Sequence, residues 1–152
     1  MESQPMKQRG IGPLAQNEGE PMSYYYTKKL NMNFTEAVEK VRSSLADQGF
    51  GVLSEIDIQE TLKKKLNVNF YKYKILGACN PKKAFAALQE EDKIGVMLPC
   101  NVIIQQKEEG LPTEVSVVDP VATMQTVGND NLTTIAEEVS KMLQACLEDL
   151  PS

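Results

Sequence analysis

The chain has 152 residues, 41% of them hydrophobic and 24% charged, with a formal charge of -5. That is enough for one domain with its own core, and the acidic balance argues against nucleic-acid or anionic-lipid partners. Histidine is absent and there are three cysteines, which excludes a Ser-His or Cys-His dyad, imidazole zinc ligands within one chain and a paired disulfide framework.

Residues 1–22, "MESQPMKQRGIGPLAQNEGEPM", are rich in Pro, Gly, Gln and Glu and carry no apolar period. They are expected to form a mobile tail ahead of a single domain over 23–152, because so little apolar surface cannot offset the entropy of ordering. No basic segment leads into an apolar run, so no signal peptide is expected and a cytoplasmic location is the default. The apolar runs are too short to span a bilayer.

"SYYYTKKLN" (Ser23–Asn31) alternates as a strand, with Tyr24 and Tyr26 on one face and Tyr25 and Thr27 on the other. Asn33 and Glu36 have capping-box spacing, and Phe34, Ala37, Val38, Val41 and Leu45 then recur at helical intervals. Gly49 stops that helix, with Phe50 placed to fold back on its last turn. Phe50–Ile58 alternates again, with Phe50, Val52, Ser54 and Ile56 expected on one face and Leu53, Glu55 and Asp57 on the other. Asp57 and Glu60 repeat the cap, and Ile58, Leu62 and Leu66 form the stripe of a short helix that carries three lysines outside.

"FYKYKILGA" returns to strand, with tyrosines expected to pack and Lys72 and Lys74 to face water. Asn80-Pro81 starts the next helix, since Asn caps and Pro suits the first helical position. Ala84, Phe85 and Leu88 are its expected buried stripe. "IGVMLPCNVIIQQ" reads as one long apolar strand broken by Pro99 at an edge or bulge. "KEEGLP" is a hairpin turn and "TEVSVVD" the returning strand. After a short irregular stretch, Asn131–Leu150 is a helix with Leu132, Ile135, Ala136, Val139, Leu143, Cys146, Leu147 and Leu150 along one stripe. The late hairpin breaks strand-helix alternation. The expected fold is therefore α+β, an antiparallel or mixed sheet of about five strands with helices on one face.

Chemistry concentrates in a few places. The basic aromatic run "KKKLNVNFYKYK" is explained by strand alternation without a nucleic acid. Glu55 and Asp57 leave one strand face together, a pair able to bind a metal or perturb each other, although capping accounts for Asp57. No phosphate-binding glycine motif is present. Cys146 sits on an apolar helix stripe and reads as core. Cys79 precedes a helix start, where dipole and unpaired amides favour a thiolate. Cys100 follows the proline that interrupts its strand, where a side chain can be re-aimed into a pocket. These two thiols are the candidate soft-metal ligands, short of a four-thiolate zinc site in one chain.

The stretch Ile75–Gln106 and the downstream "VVDPVATM" resemble the domain-of-unknown-function family numbered three hundred and two. Its three segments, G-A-C-N-P, L-P-C-N-V and D-P-x-x-x-M, match Gly77–Pro81, Leu98–Val102 and Asp119–Met124. The resemblance covers about residues 24 to 150 and implies an α+β domain with a curved antiparallel sheet backed by helices, commonly a homodimer, with no established activity. Its signature positions include Cys79, Asn80, Pro81, Pro99, Cys100, Asp119 and Pro120.

Three functional readings follow. The first is a dimeric domain binding a small ligand, a sulfur species, a soft metal or an apolar cofactor, in a thiol-containing pocket of Cys79, Cys100, Asn101, Asp119 and Glu55. No particular cofactor is indicated, and neither nucleic acid nor membrane is expected as a partner. The second is an enzyme with Cys100 as the catalytic thiolate for sulfur or acyl transfer, activated by a helix terminus or lysine. The third is a structural or interaction domain without a small-molecule site.

Overall fold

A computed structural model describes residues 23–152; the expected tail, 1–22, lies outside the described residues. The first strand, β1 (Tyr25–Leu30), leads into α1 (Phe34–Asp47), where the Asn33 side chain accepts the Glu36 N–H at 2.8 Å. Gly49 closes that helix at φ +86°, and the Phe50 N–H returns to the Leu45 carbonyl at 2.9 Å. Only glycine adopts that φ without strain, so the helix ends where the sequence expects.

Next come β2 (Gly51–Asp57), α2 (Ile58–Leu66), β3 (Lys72–Cys79), α3 (Pro81–Glu90), a 3-10 turn (Asp92–Met97), β4 (Cys100–Gln106) and β5 (Thr113–Val118). The chain finishes with α4 (Pro120–Met124), another 3-10 turn and α5 (Asn131–Glu148). The five strands form one antiparallel sheet in the order β1-β5-β4-β3-β2, in an α+β fold as expected. Leu76, Val102, Ile104, Val115 and Val117 point from the sheet into a core shared with Val41 and Leu45 of α1 and Leu143 and Leu147 of α5. Among the described residues no helix is long and apolar enough to cross a membrane.

Five local expectations change, each for a packing reason. The long strand over 94–106 does not form. The segment before Pro99 is a 3-10 turn that buries Ile94 beside Ala87 and Leu132, and the proline directly precedes β4, a central strand. A missing N–H is harmless there because no ladder position is lost. In α3 the buried residue is Ala87, while Phe85 is 65% and Leu88 42% exposed. The helix approaches its neighbours through its small side chains, and the large ones fall outside the contact. In α2, similarly, no residue is buried and Leu66 is exposed.

The other two changes concern faces. A bulge between Val52 and Ser54 puts Val52 opposite Ala78 but Ser54 opposite Gly77, so the two do not share a face. On β3 it is Lys74, paired with Ile104, that points to the helix side; its ammonium lies 5.9 Å from the Phe34 ring centre and 3.3 Å from Glu55. Tyr73 and Ile75 occupy the opposite, open face. Across that face the register aligns Ile56, Ile75, Ile103, Ser116 and Thr27 in one row.

Candidate functional site

Three chain segments meet where β3 ends and β4 begins. Asn80 caps α3, accepting the Lys83 N–H at 3.2 Å, with Pro81 at the first helical position. This local signal stops β3 at Cys79. Cys100 opens β4 directly opposite Ala78, and Asn101 stands opposite Gly77. From the third segment, the Asp119 carboxylate caps α4 by accepting the Val121 N–H at 3.0 Å, which brings Pro120 and Met124 onto the same corner.

Between these segments and α5 lies an apolar cavity of about 40 Å³, bordered by Cys79, Cys100, Lys83, Met124, Ala87 and Ala136 among others. Strand alternation alone sends Cys79 and Cys100 to opposite faces; at the strand ends both border this space. Such a volume holds a few atoms, since one water requires roughly 10–15 Å³. A second, outer pocket of about 230 Å³ shares Leu98, Pro99, Cys100, Pro120 and Met124 with it and reaches Met97 and Asn101. Cys100 and Met124 therefore border both pockets.

Burial, and secondarily the neighbouring Cys79 charge, push the Cys100 thiol from 9.0 up to about 11. Desolvation penalises the charged form, and a second anion adds repulsion. The raised value makes stability pH-dependent with a definite sign. A native pKa above the unfolded one gives a contribution complete below about pH 9 and lost as pH rises toward 11. The loss approaches roughly 2–3 kcal/mol. Urea unfolding of metal-free protein between pH 8 and 11 is expected to show a steeper alkaline decline than Cys100→Ala, and parallel curves would contradict the assignment. Cys146, in the core, is also pushed up, chiefly by burial, with a hydrogen bond from Ser44 opposing.

The other expected site residues divide. Asn101 is exposed at the outer pocket. Asp119 is buried away from the cavity lining and accepts a hydrogen bond from the Ser140 hydroxyl at 3.2 Å, while Gln144 donates to Ser140 at 3.1 Å. Tyr26 joins this cluster, its phenol pushed up by burial first, with Ser140 and Asp119 as neighbours. Glu55 lies on β2 in ion pairs with Arg42 and with Lys74 at 3.3 Å, away from both thiols. Asp57 caps α2, accepting the Glu60 N–H at 2.9 Å. Sequence reasoning did not single out Met124, Lys83, Ala87 or Ala136. Met124 was legible as the last residue of D-P-x-x-x-M; the alanines carried no signal beyond helical spacing.

Residues 26–150 match the family model described as "Domain of unknown function DUF302". The chain belongs to the DUF302 family. A crystal structure of an uncharacterised conserved DUF302 protein from Bacillus stearothermophilus is 31% identical, with a TM-score of 0.77, covering 84% of this chain and 98% of that one. No curated protein matches. In this DUF302 chain the three segments that carry the resemblance are the three that border the cavity, through Ala78, Cys79 and Asn80, Leu98, Pro99 and Cys100, and Pro120 and Met124.

Proposed function

We propose that this DUF302 protein is a small-ligand-binding domain, acting as a cytoplasmic homodimer, whose site is the cavity bordered by Cys79 and Cys100. The observation that supports this is the convergence of three sequence segments, about 20 residues apart, on one apolar space with thiols at its edge. Nothing about strand pairing or capping requires them to leave a space there. The volume suits a small sulfur species or a bare soft ion, and an organic cofactor would have to widen it. Asp119 contributes by holding α4, and so Pro120 and Met124, in position.

A catalytic Cys100 is disfavoured. With its pKa at about 11, about one thiol in 10⁴ is ionised at pH 7, too few for a nucleophile without an activating base. The open-face isoleucine row favours the dimer, since a second copy over it would remove Ile56, Ile75 and Ile103 from water.

Native mass spectrometry of freshly purified protein tests both parts. The expected spectrum is a dimer with a bound mass on each chain. Ala84→Leu, at a half-buried position on the cavity wall, should remove the adduct while keeping the dimer. Ile56→Glu, on the exposed rim of the row, should give monomer with the adduct retained. A bare monomer at micromolar concentration from the unaltered protein would end the proposal.

A further inference from the structure

We infer that Cys79, Cys100 and Met124 form a binding site for copper(I), which rests on the reading of the cavity as a ligand site and names its occupant. All three side chains that could donate from the cavity wall to a soft metal carry sulfur: two thiols and one thioether. Among the described residues no group of three or more His, Cys, Asp or Glu is clustered for a metal. Zinc, which takes four such ligands, and iron–sulfur clusters, which take four thiolates, are therefore poorly served. Copper(I) is content with two or three soft donors, and thiolates with thioethers select it. The space fits a bare ion. Met97, partly exposed, adds a thioether to the second pocket, which Cys100 and Met124 also line.

The binding step is a proton-for-metal exchange with no change of oxidation state. Two S–H bonds break, two Cu–S bonds form, two protons leave to solvent and Met124 adds a neutral donor. The product carries one net negative charge. One feature of the cavity compensates it: the amino end of the ten-residue helix α3, with its positive dipole end. The titratable groups on the two pocket walls are Cys79, Cys100 and Lys83.

The test is anaerobic titration of reduced, metal-free protein with copper(I) buffered by bathocuproine disulfonate. One copper(I) per chain is expected, with sulfur-only coordination by X-ray absorption. The affinity should rise with pH, because binding displaces thiol protons. Cys79→Ser and Cys100→Ser should each weaken binding by about 100-fold or more, and Met124→Leu by about tenfold, with Cys146→Ser unchanged. Should either serine variant fail to fold, Met124→Leu and the pH slope of the unaltered protein still decide the matter. Binding that survives either cysteine substitution, or an affinity that does not rise with pH, overturns the assignment. If copper(I) is not captured but the native adduct is present and lost in Ala84→Leu, the copper assignment falls and the ligand-binding reading stands. If neither is found, both fall.

Discussion

Replacing Lys28 with methionine is expected to lower the unfolding free energy by about 3 kcal/mol and the thermal midpoint by roughly 6–12 °C. Lys28 lies on the helix-facing side of β1, is only 6% exposed, and sits opposite Val115. Its ammonium donates to the carbonyls of Leu147 and Glu148 at 3.2 Å and to that of Leu150. The last carbonyls of a helix have no intrahelical donor and carry the negative end of its dipole. One buried cation therefore caps α5 and ties it to an edge strand. Methionine keeps the apolar stem but leaves those carbonyls unmatched. Lys29→Met, one residue on and exposed, is the control and should change stability by less than about 0.5 kcal/mol. Equal losses in the two variants, measured by urea unfolding, would contradict the capping role.

Gly77→Ala should destabilise by a similar amount, about 3 kcal/mol, for a steric reason. A Cβ on Gly77 would lie 2.8 Å from Cγ of Pro99 and collide with the Ser54 hydroxyl, which faces it from β2. The proline ring, bonded into the backbone before β4, cannot turn away. Because the Ser54 Cβ is 3.6 Å from the same point, Ser54→Ala removes its part of the clash. The double variant Ser54→Ala/Gly77→Ala should thus recover roughly 1 kcal/mol, and the rest measures how firmly Pro99 is seated. Since Pro99 also borders the cavity, Gly77→Ala should weaken ligand or copper(I) retention as well. A variant as stable as the parent would show that β3 and the proline can shift apart.

The caps were legible because they are local. Asn33, Asp57 and Asn80 each accept an N–H three residues on, and residue type with spacing is all that such a bond requires. The α5 stripe was legible because helical period determines which side chains share a face. What misled was phase and partner. Phe85 and Leu88 have helical spacing, but whether a neighbour arrives to cover them depends on α5 and the 3-10 turn, which are remote in sequence. Lys74 alternates with tyrosines, but which set faces the helices depends on Leu76 and Ala78 further along the strand.

The site shows the same division. From the sequence alone, Cys79 stands at a helix start, Cys100 follows a proline, and three segments mark the DUF302 family. Those are properties of residue order and short-range geometry. Only the tertiary structure decided that Cys79, Cys100 and Met124 border one space, that Asp119 and Glu55 serve other contacts, and that Cys100 is a protonated thiol. Proximity across separate strands and helices, and the desolvation that follows from it, arise when the sheet and α5 close on each other, and no local pattern encodes them.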